Sequence, residues 1–240
     1  MASESKHLPD TSWKALYRLG SVAAVLYVVL AVLIPLVLVV SVDYDFELDG
    51  AALLEFIAEH RTWWITLQGL VLGPSVMLIF AFAALYVALR QLEKTIAAIA
   101  ALIAISSQIL FLAYFPVVTG LAYLSDQFVA AVSPERRAAL VGGAEALAAM
   151  NNAYGPSDTM IALGVLLYSL VMLKGVFRRS VAYLGMAVFV AAVIGAALKP
   201  VVGAAYLWWW ALFVPWIIAV AIKLHTLAAG AAFQQPLNRG

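Results

Sequence analysis

Six long apolar runs are the feature of this sequence that most limits how the chain folds. They cover residues 20–42, 64–89, 95–119, 159–176, 181–203 and 205–222. A helix needs about 20 mostly apolar residues to cross about 30 Å of hydrocarbon. A helix also pairs its backbone polar groups within one segment, which a membrane interior requires. The runs therefore predict an all-α fold, a polytopic transmembrane helical bundle of six spans.

Composition excludes several other classes of protein. The chain is 65% hydrophobic and 11% charged, whereas soluble domains are roughly 45–50% apolar and about 25% charged. The formal net charge of +1 argues against a nucleic-acid partner, because phosphate binding needs an excess of clustered Lys and Arg. Without cysteine, disulfides and thiolate metal sites are excluded.

The distribution of Lys and Arg predicts the orientation of the spans. Ten lie on one side of the six spans and four on the other. The four are Arg61, Arg136, Arg137 and Lys199. Since basic loops stay in the cytoplasm, both termini are predicted there. This gives a cytoplasmic segment 1–19, a six-span domain 20–225 and a cytoplasmic tail 226–240, in a bacterial inner (plasma) membrane.

Two longer segments are predicted on the outer side, residues 43–63 and 120–157. The first has a helical pattern from Ala51 to His60, with Leu53, Leu54 and Ile57 on one face, which is typical of an interfacial amphipathic helix. In the second, Ser133 is placed to cap a helix that begins at a proline. We expect short amphipathic helices there that form a cap over the bundle.

Two charged residues near the outer end of the bundle are the main candidates for function. Lys199 lies within an apolar run, and Asp158 begins the fourth span at the same level. Charges within the membrane often face a polar cavity, so we expect an ion pair or a polar pocket, roofed by Asn151, Asn152 and Tyr154. The plainer interpretation is that Lys199 extends to the interface and Asp158 caps its helix.

Other polar residues fall at mid-depth in the spans. They are Ser75, Ser106, Ser107, Gln108 and Ser169. Hydrogen bonds between helices explain such residues without a ligand. Gly69 and Gly73 form a G-x-x-x-G pair, which predicts close helix packing.

No catalytic residue, cofactor or metal site is predicted. The metalloprotease, serine-hydrolase and phosphate-loop motifs are absent from the sequence. An outer-leaflet enzyme using Glu59, His60 and Asp158 stays open as one alternative.

Three stretches carry a resemblance to a known family. They are LYRLGSVAAVLYVVLAVLIPLVLV, FAALYVALRQLEKTIA and LGVLLYSLVMLKGVFRRSVAYLGMAVFVAAVIG. The chain resembles an uncharacterised bacterial family of six-helix integral membrane proteins, a domain of unknown function, over nearly all of residues 14–225. The resemblance implies the fold and no substrate or catalytic residue.

The sequence favours a non-enzymatic role. We expect the protein to bind a lipid or small hydrophobic molecule, or to act as an accessory subunit of a membrane assembly. A transporter with an outer-facing pocket at Lys199 and Asp158 is the second alternative. The expected partners are membrane lipids and a protein partner or second copy within the membrane, with no nucleic acid.

Overall fold

The computed structural model describes residues 11–41, 48, 50–113, 115–153, 156–202 and 208–230. This part of the chain is helical and has no strand. After a short 3-10 turn at Thr11–Trp13 come α1 (Lys14–Ser41), α2 (Gly50–Glu59), α3 (Arg61–Leu89), α4 (Lys94–Leu112), α5 (Phe115–Ala130), α6 (Pro134–Ala153), α7 (Pro156–Met172), α8 (Arg179–Val202) and α9 (Trp210–Ala228).

Five helical stretches in the described residues are long and apolar enough to cross a membrane. They are Lys14–Ile34, Arg61–Leu89, Lys94–Ala130, Arg179–Lys199 and Trp210–Ala228. Many of their large apolar side chains lie on the surface, among them Leu102 (68% exposed) and Ile222 (62% exposed). Exposed apolar surface on this scale is stable in lipid and not in water. The chain is therefore a membrane protein.

The fourth predicted span lies three to four residues earlier in the chain than the sequence indicated. It was expected to run from 159 to 176, but α7 covers Pro156–Met172, which is 17 residues. Gly175 has φ +134°, a conformation that glycine adopts readily and that is incompatible with a continuing helix. At 1.5 Å per residue, α7 is about 25 Å long, against about 30 Å of hydrocarbon.

The third predicted span is divided between two helices, the second of which runs beyond the expected end. Residues 95–119 were expected to form one segment, whereas α4 ends at Leu112 and α5 begins at Phe115 and runs to Ala130. Pro116 lies at the start of α5. Because proline has no backbone N–H to donate to the preceding turn, the helix is interrupted there.

The chain divides into two compact units. Unit 1 comprises Met1–Val28, Val76–Gln108 and Asp158–Gly240, and unit 2 comprises Val29–Ser75 and Ile109–Ser157.

The core of unit 2 is formed by α2, α5 and α6. The apolar face of α2 was expected to lie in the membrane interface, but Leu53, Leu54 and Ile57 are buried in this core. The Ser125 hydroxyl on α5 donates a 2.6 Å hydrogen bond to the Leu54 carbonyl oxygen. The amphipathic pattern therefore exists, and its apolar face is covered by protein.

The start of α6 agrees with the predicted cap. The Arg136 backbone N–H donates to the Ser133 hydroxyl oxygen at 3.2 Å, so the capping prediction is confirmed. The Arg137 guanidinium lies 5.4 Å from the centre of the Phe128 ring and donates to the Ala131 carbonyl oxygen at 3.1 Å. These contacts fix the turn between α5 and α6.

Unit 1 is held by close approaches at small residues. A Cβ atom at Gly164 on α7 would lie 2.7 Å from the Ala104 Cβ on α4. Gly20 on α1 is packed in the same way against Ala84 on α3. Since lipid competes well for apolar side chains, small residues that let backbones approach are a main source of helix association in membranes.

Among the described residues, the predicted close packing is found at Gly73 and not at Gly69. No atom of a described residue lies within 4 Å of the position where a Cβ atom on Gly69 would stand, whereas at Gly73 the Leu30 side chain is 3.1 Å away. Only one glycine of the G-x-x-x-G pair therefore faces a described neighbour.

We predict opposite outcomes for alanine at two helical glycines. Gly164→Ala should lower the stability of the purified protein by about 1–3 kcal/mol, because the new methyl group overlaps Ala104. Gly69→Ala, the matched control, should change stability by less than about 1 kcal/mol, towards greater stability. Thermal unfolding in detergent, followed by tryptophan fluorescence, measures both, and equal melting temperatures would contradict the α4–α7 packing.

Candidate functional site

Asp158 and Lys199 lie at the same end of unit 1. Helices α7 and α8 meet where a Cβ atom on Gly185 would overlap the Ser169 hydroxyl. From that contact, Asp158 is about 16 Å along α7 and Lys199 is about 21 Å along α8, at 1.5 Å per residue. Both side chains are half-buried. The ion pair between them stays a prediction.

The three residues expected to roof this pair are not brought into a site by the described structure. Asn151 and Asn152 belong to α6, in unit 2, and their side chains lie outside the described part. Tyr154 also lies outside the described residues. Their predicted role stays untested.

An aromatic cluster lies near Asp158 instead. It consists of Tyr27 on α1 with Trp209, Trp210, Phe213 and Trp216 at the start of α9. The Tyr27 ring stacks on the Trp210 ring with centroids 6.1 Å apart and meets the Phe213 ring edge-on at 5.7 Å. Phe213 in turn stacks on Trp216 at 5.8 Å. The rings form one continuous aromatic surface between α1 and α9.

The hydroxyl of Tyr27 is the unusual polar atom of this cluster. The side chain is 1% exposed, and the hydroxyl has no hydrogen-bond partner among the described residues. The Asp158 carboxylate is close enough to interact with it electrostatically. A buried hydroxyl without a partner costs about 1–3 kcal/mol, so this arrangement needs a reason other than packing.

Tyr168 provides a contrast within the same unit. Its hydroxyl is equally buried but donates a 2.8 Å hydrogen bond to the Phe82 carbonyl oxygen on α3, and its ring stacks on Phe82 with centroids 6.0 Å apart. This tyrosine joins α7 to α3. The Tyr168 hydroxyl thus has a partner within the protein, whereas the Tyr27 hydroxyl has none among the described residues.

The indole of Trp216 is a second polar group without a described partner. Its Nε1 atom is buried and would lie 2.6 Å from a Cβ atom on Gly185. Glycine at this position lets α8 lie directly against the ring. Trp216 therefore packs against the neighbouring helix α8.

Three of the mid-depth polar residues donate hydrogen bonds within their own helices. Ser107 donates to the Ala104 carbonyl oxygen at 2.7 Å, and Gln108 donates to the Ser107 hydroxyl at 2.9 Å. Ser169 donates to the Val165 carbonyl oxygen at 2.7 Å. Ser75 is buried and Ser106 half-buried. The hydrogen bonds seen here run within single helices.

The residues of the enzymatic alternative fall in different units. Glu59 and His60 belong to unit 2 and Asp158 to unit 1. The His60 ring stacks on Phe56 with centroids 4.6 Å apart, and its Nδ1 lies 3.1 Å from the Phe56 carbonyl oxygen. Among the described residues, no group of three or more His, Asp or Glu is placed to hold a metal ion.

The sequence interpretation missed the aromatic cluster. Trp209, the middle one of three consecutive tryptophans, is fully buried. The available signal was the spacing of Trp209, Phe213 and Trp216, which are four and then three residues apart and so share one helix face. Tyr27 had no such signal, because its ring partners Trp210 and Phe213 lie 183 and 186 residues later in the chain.

Comparison with protein-family models, with curated protein sequences and with solved structures gives no match for this chain. The resemblance to a six-helix family therefore stays a prediction.

We predict opposite effects for two isosteric tyrosine variants. In protein stripped of lipid, Tyr27→Phe should raise stability by about 1 kcal/mol, because it removes a buried hydroxyl without a partner. Tyr168→Phe should lower stability by about 1 kcal/mol, because it removes an interhelical hydrogen bond. Thermal unfolding in one detergent compares the two, and a loss of stability in Tyr27→Phe would show that its hydroxyl already has a partner in the protein.

Proposed function

We propose that this protein is a six-span membrane protein that binds a lipid or another small amphipathic molecule at the aromatic cluster. The buried Tyr27 hydroxyl without a described partner carries the proposal. A polar group of the ligand bonds to that hydroxyl, and an apolar part lies against the rings of α9. Buried polar groups in proteins are nearly always paired, and a bound molecule is one way of pairing them.

The charges near the cluster indicate the chemistry of the ligand. A carboxylate at Asp158 and the faces of several aromatic rings together favour a positively charged or hydrogen-bond-donating head group. Lys199 at the same end of unit 1 suits an additional acidic or phosphate group. A zwitterionic amphiphile carries head-group charges of both kinds.

Six spans and cytoplasmic termini form part of this proposal. Helix α7 is apolar over Ser157–Met172, and a short apolar helix can cross a bilayer that thins around it. The ten-to-four division of Lys and Arg supports the orientation.

Ligand retention tests the binding function. After purification in mild detergent, native mass spectrometry should detect a small molecule bound to the wild-type chain. Tyr27→Phe should weaken its binding about tenfold through the loss of one buried hydrogen bond and lower its occupancy accordingly. Tyr168→Phe is the control, because its hydroxyl is used within the protein, and it should retain the ligand. A wild-type chain that carries no ligand and binds none of an added lipid extract would refute the proposal.

Orientation is tested by cysteine labelling, which suits a chain without native cysteine. Ala139→Cys on α6 should react with a membrane-impermeant maleimide added to intact cells. Gln91→Cys and Ser180→Cys should react only after permeabilisation. All three positions are exposed. Labelling of Ser180→Cys in intact cells would show that α7 does not cross the membrane.

A transporter is the second candidate. The placement of Asp158 and Lys199 at one end of unit 1 favours it, since paired charges line many substrate paths. In that case the molecule found by mass spectrometry should accumulate in proteoliposomes containing wild-type protein. Binding without accumulation would exclude the transporter and support the binding function.

A further inference from the structure

A second feature of unit 1 is the positive charge at the end where α1 begins and α9 ends. We call this the basic end. It comprises Lys14, Arg18, Arg90, Lys94, Lys174, Arg178, Arg179 and Lys223, all of which are in unit 1.

Contacts bring the first of these residues together. The Arg90 guanidinium at the end of α3 lies 5.0 Å from the centre of the Trp13 ring, which directly precedes α1. The Lys14 Nζ lies 3.9 Å from the position of a Cβ atom on Gly230, just after α9. The start of α1 therefore lies beside the ends of α3 and α9. Arg18 follows Lys14 by one turn, on the same face of α1.

The start of α8 adds further charge at the same level. Helices α8 and α9 meet at Gly185 and Trp216. From that contact, Arg179 is about 9 Å along α8 and Lys223 about 10 Å along α9, at 1.5 Å per residue. Arg178 and Arg179 are exposed, and Lys223 is half-buried.

Acidic residues hardly offset this charge. Among the described residues at this end, Glu93 is the single acidic side chain, and its Oε2 already accepts a 2.7 Å hydrogen bond from the Lys174 Nζ. Apart from Lys174, the basic end contains seven further basic residues. Such a concentration of charge is stabilised by anions.

The surface next to the basic end is apolar. Leu19 (46% exposed) and Val22 (51%) adjoin Arg18 on α1, and Ile222 (62%) adjoins Lys223 on α9. The anion that best fits this surface is therefore the charged head group of a molecule with a long apolar tail.

We propose that the basic end binds the phosphate of an anionic phospholipid. The phosphate lies between Arg18, Lys14 and the neighbouring cations, and the acyl chains lie along the exposed apolar faces of α1 and α9. This inference rests on the membrane-spanning part of the proposed function and is independent of the aromatic cluster. A nucleic acid fits less well, because the overall net charge is +1 and the adjoining surface is apolar.

The test compares two lipids with the same acyl chains. Native mass spectrometry of the full chain in detergent is titrated with 1-palmitoyl-2-oleoyl phosphatidylglycerol and with the corresponding phosphatidylcholine. We expect phosphatidylglycerol to bind at least about tenfold more tightly. Arg18→Gln should weaken phosphatidylglycerol binding about fivefold, which is the effect of one basic residue at a charged membrane surface. Lys14→Gln combined with Arg18→Gln should remove most of the preference.

Arg136→Gln is the matched control. It removes the same charge from an exposed site in unit 2 and should leave the preference unchanged. Equal affinities for the two lipids, or an equal effect of Arg136→Gln, would overturn the inference. Displacement of phosphatidylglycerol by inorganic phosphate at equal concentration would assign the site to free phosphate instead.

The two proposals fail in different ways. If Tyr27→Phe removes the copurified ligand while both test lipids bind equally, the basic-end inference alone is wrong. If phosphatidylglycerol is preferred and no ligand depends on Tyr27, the aromatic binding site alone is wrong. A chain that stays soluble without detergent would refute both.

Discussion

Close approach of helices at small residues is the constraint on which unit 1 depends. In lipid, an apolar side chain gains little by leaving the solvent for the protein, so association needs backbone proximity and polar contacts. Gly164 against Ala104, and Gly185 against Ser169 and Trp216, provide that proximity. The approach at Gly185 also positions the aromatic cluster, because it sets α8 against the ring of Trp216.

The two units are stabilised by different means. Unit 2 has a core of larger side chains such as Leu54, Ile57 and Trp64 and an exposed ion pair between Arg61 and Asp126. Unit 1 relies on small residues, aromatic stacking and a few buried hydrogen bonds between helices. The Ser21 hydroxyl, for example, donates to the Ala221 carbonyl oxygen at 3.0 Å and joins α1 to α9.

Sequence patterns within a few residues predicted where the helices lie better than they predicted which side chains contact each other. Hydropathy placed most helices, and the Ser133 cap followed from its sequence context, because both depend on neighbours within a few residues. The end of α7 was misplaced because an apolar run does not show that Gly175 leaves the helical region. Gly69 was assigned to close packing because a G-x-x-x-G pair does not identify a facing helix. The shared end of Asp158 and Lys199 could be inferred from a short connection, whereas the meeting of Tyr27 with α9 depends on tertiary structure alone.

The shortness of α7 has a consequence for the lipid around it. If this helix spans the membrane as proposed, its length of about 25 Å creates a hydrophobic mismatch with a bilayer core of about 30 Å. The bilayer adapts by drawing its head groups inward on that flank. Asp158, in the first turn of α7, then meets water and head groups at a depth where the neighbouring longer helices still meet acyl chains. Under that proposal, the mismatch brings lipid head groups to the level of Asp158, whose carboxylate acts on the buried Tyr27 side chain.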